Sequence, residues 1–193
     1  MPSMGLRRDY TQAPLQEIES YLVGASHDGT WNQRHKTFRY TQRERSWLEL
    51  VQRLLGSLNR RSWLYREGQQ RTVWALETTY CPSGDSWHLL PHSQIEWIGY
   101  IRGFFDAEGG LPKNATSRFY LQFVQKNRRK LDIIRSTLEE LDIPCGALHI
   151  PSKRVDPNYW RFFVSTRSHR KFADVIGSWH PRKSYILSGR MKI

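Results

Sequence analysis

Two stretches of the chain carry apolar residues at helical spacing and close on an acid followed by glycine. The first spans 14–28 (PLQEIESYLVGASHD) and stops at Gly29; the second spans 94–108 (QIEWIGYIRGFFDAE) and stops at Gly109-Gly110. Apolar recurrence every three to four residues predicts a helix in each case, and the glycines predict where they end. Pro14 suits a first helical turn, and Ser93 with Glu96 forms a capping box. Beyond each helix the period changes to two. Phe38 and Tyr40 alternate with Arg39 and Thr41, and Leu121 and Phe123 alternate with Tyr120, Gln122 and Val124, as strands with one apolar face do. An amphipathic helix follows each strand. One carries Trp47, Leu48, Val51, Leu54, Leu55 and Leu58, the other Leu131, Ile134, Leu138 and Leu141. Two more strands are predicted near 62–67 with 71–79, and 146–150 with 159–165. A last helix over Ser168–Ile176 and a basic tail occur in the second half only.

The order of elements therefore repeats. A shift of 80 sets Ile18 on Ile98, Tyr21 on Ile101, Asp28 on Glu108 and Gly29 on Gly109. A shift of 83 then sets Phe38 on Leu121, Gln42 on Gln125 and Leu48 on Leu131. The three-residue change falls in the first hairpin, where insertion costs little. The predicted class is α+β, with two pseudo-symmetric α-β-β-α-β-β(-α) repeats. An N-terminal repeat occupies 1–81 and lacks the last helix, a linker occupies 82–93, and a C-terminal repeat occupies 94–193. Trp63, Trp74 and Trp160 are expected to pack in the core or on the sheets, as aromatic residues in strands usually do.

Charge narrows the function. The 193 residues hold 30 Lys and Arg against 18 Asp and Glu, a formal net charge of +12. Most of the excess lies after residue 94, and arginine dominates, so a polyanion is the expected partner. Eight Trp and a 38% hydrophobic share exclude a disordered chain. No apolar run is long enough for a membrane span, and MPSMGLRRDYTQ lacks the apolar stretch of a secretory signal, so an intracellular, non-secreted protein without membrane contact is expected. Cys81 and Cys145 read as free thiols.

The acid–glycine helix ends carry the chemistry. A carboxylate at a helix C-terminus sits at the negative end of the dipole, so a cation is the natural compensation for Asp28 and Glu108. Two carboxylates on neighbouring helix tips, with water and phosphate oxygens, make a Mg²⁺ site able to activate water and stabilise a leaving oxygen. Gly24, Ala25, Ser26 and Gly103 would let the two helices approach closely. A single such acid would be an ordinary surface residue; the matched pair argues otherwise. Zinc, nucleophile-elbow and P-loop chemistry are excluded for want of their motifs.

The stretch YIRGFFDAEGG (Tyr100–Gly110) resembles the signature helix of the LAGLIDADG homing endonucleases, in their monomeric two-repeat form, and YLVGASHDG (Tyr21–Gly29) resembles a worn first copy. Val23 stands where that motif has glycine, with Gly24 displaced by one, and Ser26 and His27 depart from it too. The resemblance implies a saddle of antiparallel sheets with helices on its convex face. It implies metal ligation by Asp28 and Glu108 with Gly29 and Gly109, and catalytic support from Gln42, Gln125 and Lys183, or else Arg182. The cofactor implied is Mg²⁺, with Mn²⁺ or Ca²⁺ able to substitute. The partner implied is double-stranded DNA, bound by a monomer built as an internal pseudo-dimer. The expected activity is site-specific double-strand cleavage of a long asymmetric target, leaving 3′ overhangs. Strand parity and turn position then nominate Arg34, Lys36, Arg39, Arg66, Arg71, Lys113, Arg118, Tyr120, Gln122, His149, Lys153, Arg154, Arg161 and Phe163 as DNA contacts. The alternative is a non-cleaving binder on the same fold, an intron RNA maturase or a DNA-binding regulator.

Overall fold

In the computed structural model, which describes residues 9–68, 72–82, 91–114 and 116–191, the first helix is shorter than its apolar pattern. Helix α1 (Leu15–Ala25) begins after Pro14, and its end is not a glycine cap. The chain tightens at Ala25 into a 3-10 turn, Ser26–Asp28, and Gly29 follows with extended backbone, φ −116°. What requires glycine there is proximity: a Cβ on Gly29 would overlap the Phe38 ring. Strand β1 (Gly29–Asn32) turns back into β2 (Thr37–Gln42), helix α2 (Arg45–Ser57) crosses over, and β3 (Ser62–Arg66) with β4 (Trp74–Thr78) completes an antiparallel sheet in the order β1-β2-β4-β3. Cross-strand partners share a face, so Phe38, Tyr40, Leu64 and Leu76 point to the helices, while Thr30, Arg39, Glu77 and Trp63 form a row on the other side.

Helix α3 (Gln94–Glu108) opens on the expected capping box, Ser93 accepting from Glu96 N and Glu96 from His92 N at 2.7 Å. Its partner is α1. A Cβ on Gly24 would collide with the Tyr100 carbonyl, and one on Gly103 with the Tyr21 carbonyl. The contact is reciprocal under a shift of 79, not the 80 read from the sequence: Gly24 answers Gly103, Tyr21 answers Tyr100, and Ala25 answers Phe104. The missing residue is recovered in the 3-10 turn. Three residues rising about 2.0 Å each span the same ~6 Å as four α-helical residues rising 1.5 Å, so the shift is 80 again by Asp28 and Glu108. The displaced Gly24 is therefore the true contact glycine, and Val23 is no departure in packing.

Polar groups between these helices are paired. Arg102 and Glu17 form a buried ion pair, with the Arg102 guanidinium 4.5 Å from the Trp179 ring centroid. Tyr21 OH donates to Asp106 at 2.8 Å and accepts from Trp47 Nε1 at 3.0 Å. Burial first, and the Asp106 charge second, push the Tyr21 phenol well above its ordinary pKa.

The second half is less regular than its pattern. The first strand after α3 reduces to a single bridge, Gly110 with Gln122. Strand β5 (Gln122–Gln125) pairs β6 (Trp160–Phe163), and the segment expected as a strand over 146–150 contributes only bridges, Cys145 with Val164 and His149 with Arg161. Pro112, Pro144 and Pro151, which lack the donor a ladder needs, interrupt these edges. Helix α4 (Arg128–Glu140) packs against β5 and β6, where Phe123 stacks on Phe162, and α5 (His169–Val175) follows a 3-10 turn. The expected basic tail is a helix, α6 (Pro181–Met191), whose polar composition hid it from the apolar pattern.

The chain divides into two compact units. The N-terminal unit is Arg8–Ala107 with Trp179–Arg182, and the C-terminal unit is Glu108–Ser178 with Lys183–Ile193. Both cysteines are free, and burial raises the Cys145 thiol to about 12. No helix among the described residues is long and apolar enough to cross a membrane.

Candidate active site

Each unit has one corner where a helix-end acid meets the end of a strand. In the N-terminal unit, Asp28 closes the 3-10 turn and Gln42 closes β2, two residues beyond Tyr40 on the same face. Gln42 Nε2 donates to Asp28 Oδ2 at 2.8 Å. In the C-terminal unit, Glu108 ends α3 and Gln125 ends β5, and Gln125 Nε2 lies 3.3 Å from Glu108 Oε1. The same amide–carboxylate pair thus recurs at matched positions of both halves.

The basic candidates separate. Lys183, 5% exposed, donates from Nζ to the Gly109 carbonyl at 2.6 Å, next to Glu108. That carbonyl, named above as a metal ligand, already receives an ammonium. Arg182 instead pairs through Nε with Glu44 at 2.6 Å in the N-terminal unit, where His180 also faces Glu44. What delivers this region is a buried acid that no local pattern singles out. Asp106, 1% exposed, accepts from the backbone N–H groups of Trp179 and His180 at 2.9 Å each, which fixes the chain just before α6. Lys130 was missed as well. It is half-buried on the first turn of α4, where desolvation lowers its pKa and the nearby Glu108 carboxylate works against that shift. Its place two residues into a helix that follows Gln125 so closely was the available signal.

The outer sheet faces differ in charge. On the N-terminal sheet, Arg39 binds Glu67 at 3.0 Å and approaches Glu77 at 3.9 Å. Glu77 accepts from Tyr65 OH at 2.5 Å and Thr37 Oγ1 at 3.2 Å. Trp63, expected in packing, is 42% exposed on this face, because β3 is an edge strand and its parity turns the indole away from the helices. On the C-terminal sheet, Arg161 lies over the Phe163 ring at 4.8 Å and reaches Gln122 at 3.5 Å, while His149 stacks on Phe163 and Tyr120 meets the same ring edge-on. Arg34, Lys36, Arg66, Lys113, Arg118, Lys153 and Arg154 are exposed, most of them in loops; Arg71 lies outside the described residues.

The two corners suit a hard divalent cation. They offer carboxylate oxygens held by neutral amides, at helix ends where the dipole is negative. Among the described residues no cluster of three or more His, Cys, Asp or Glu side chains forms.

Residues 97–177 match the LAGLIDADG-like domain family. Over 87% of its length the chain is 27% identical to homing endonuclease I-ApeI of Aeropyrum pernix, 84% of which is covered. Its fold is similar to that of I-DmoI in complex with DNA and Mn, with a TM-score of 0.64 at 21% identity, covering 85% of this chain and 98% of that one. The N-terminal LAGLIDADG domain of DUF199/WhiA is also similar, with a TM-score of 0.66 at 16% identity, covering 92% and 94%.

Proposed function

We propose that this protein is a site-specific double-strand DNA endonuclease built from two repeats, 1–81 and 94–193, joined by 82–93. The observation that carries the reading is the repeated corner: a helix-end acid held by a strand-end glutamine, Asp28 with Gln42 and Glu108 with Gln125. The similarity to I-ApeI and I-DmoI supports it.

In this reading Asp28 and Glu108 hold the divalent ions, with backbone carbonyls such as that of Gly29. I-DmoI has been solved with DNA and Mn and with DNA and Ca, which supports Mg²⁺ as cofactor with Mn²⁺ or Ca²⁺ able to occupy the site. When bound, the cation supplies positive charge to the phosphodiester oxygens and acidifies a water. The chain's own residues do the rest. Gln42 and Gln125 orient the carboxylates and leave their charge intact, since an amide donor is neutral. Lys183, fixed through Gly109, places a cation where negative charge develops beside Glu108. The outer faces bind duplex DNA. Arg39, Gln122 and Arg161 are suited to base edges, and Arg34, Lys36, Arg66, Arg71, Lys113, Arg118, Lys153 and Arg154 to phosphates. One chain supplies both halves, so it works as a monomer on an asymmetric target and leaves 3′ overhangs.

Duplexes from the sequence flanking its gene, incubated with Mg²⁺, test the reading. The parent cuts at one site and Glu108→Gln does not, at equal affinity. Equal binding with no cutting by either protein would establish the second reading instead, a non-cleaving DNA or intron RNA binder. The worn first motif, with Ser26 and His27 before Asp28 where the second copy has Asp106 and Ala107, favours that alternative.

A further inference from the structure

We infer that Trp74 with Arg45, and Trp160 with Arg128, are matched positioning pairs that hold Gln42 and Gln125 against the helix-end acids. Four observations converge, each made within one unit. Gln42 is the cross-strand partner of Trp74 at the ends of β2 and β4, and Gln125 is the partner of Trp160 at the ends of β5 and β6. Such partners share a face with Cβ atoms about 5 Å apart, so each indole flanks its glutamine. An arginine covers each indole, Arg45 at 4.7 Å from the Trp74 centroid and Arg128 at 4.8 Å from that of Trp160. Each arginine is the first residue of its helix, reached from the glutamine by two residues, so the connection has little freedom. Each is also held one turn on by a carboxylate, Glu49 at 2.8 Å and Asp132 at 3.5 Å.

A cation at the first position of a helix opposes the dipole, and the arrangement does so twice. The Arg side chains are more than half exposed, so core packing does not require them. Function at the strand end does. A glutamine side chain has three rotatable bonds; an indole beside it and a guanidinium closing the indole's outer face restrict it to the rotamer that reaches the carboxylate.

The catalytic consequence rests on the nuclease reading, but the positioning itself is testable without metal or DNA. In the full chain, the side-chain amide resonances of Gln42 and Gln125 are followed by ¹H–¹⁵N NMR. Trp74→Leu is expected to move the Gln42 amide toward the position of a free glutamine and to leave that of Gln125 in place; Trp160→Leu does the reverse, and the Phe variants restore both. Arg45→Met and Arg128→Met, at exposed positions that tolerate substitution, give the same one-sided shifts and serve where a Leu variant does not fold. In cleavage, each Leu variant lowers the turnover rate by up to about 10²-fold at unchanged DNA affinity. Amides that stay at the parent positions in folded Met variants would overturn the inference. So would movement of both glutamines in every variant. A parent that cuts no DNA would refute the nuclease reading alone, since the amide shifts still decide the pairing.

Discussion

The two sheets bear the same corner and opposite outer faces. At the corner, Gln42 and Gln125 meet their acids through the same donor atom, and each lies across from a tryptophan under an arginine. On the outer face the likeness ends. The N-terminal sheet is four strands wide and places Glu67 and Glu77 among Arg39, Tyr65 and Thr37. The C-terminal sheet has two strands with flanking bridges and shows Arg161, Gln122, His149 and Phe163. The difference separates two demands. Under the proposed function a corner must hold a hard cation, which has few chemical solutions, and both halves keep the same one. A face that reads a sequence must differ between halves if the target is asymmetric.

The comparison can be broken first at the helix contact. Gly24→Val and Gly103→Val each drive a side chain into a backbone carbonyl of the opposite helix. Both are expected to cost at least about 3 kcal/mol and to leave little folded protein by circular dichroism. If only one does so, the contact is not reciprocal. Next come the unlike residues just before the two helix-end acids. Asp106→Ala strands Tyr21 OH and two backbone donors in the core and should cost about 3 kcal/mol in urea unfolding. His27→Ala removes one bond to Tyr100 OH and two edge-on ring contacts, and about 1 kcal/mol is expected.

A third test is confined to the C-terminal unit. His169 is buried, donates from Nε2 to the Val164 carbonyl at 3.1 Å, and has its pKa lowered chiefly by desolvation. A depressed histidine pKa means the unfolded chain binds the proton more readily, so stability falls as pH drops below about 6.5 and is intact above it. Melting temperature followed from pH 7 downward should lose part of this slope in His169→Gln; an unchanged slope would remove His169 from the acid response. The smallest effects concern the outer faces. Glu77→Gln should tighten DNA binding slightly and Arg161→Gln weaken it, with Arg161→Gln also relaxing discrimination at one base position. Changes of the same sign in both would erase the contrast between the faces.

How much of this was legible in the sequence follows from where local pattern decides. Helices α1 to α5 and strands β2 to β6 announced themselves because apolar residues recur at the period of the element. Helix α6 did not, since its buried residues, Lys183 and Leu187, are few and one is charged. The edge strands of the second half were overestimated because a short apolar run does not reveal that prolines have removed the ladder donors. Gln42 and Gln125 were legible as matched positions. Their tryptophans were read only as packing, since cross-strand register is not a local property. The register of α1 on α3 was misjudged by one residue because the sequence does not show that Ser26–Asp28 is wound more tightly than an α-helix.

That tighter winding has a further consequence. The first acid stands at the end of a segment with poorer hydrogen-bond geometry than the second, so its corner is the softer one. Under load from a bent duplex or on heating, Asp28 would slip from register before Glu108. In the proposed nuclease the two strands of a target would then be cut at unequal rates, the lag being set by the winding of Ser26–Asp28.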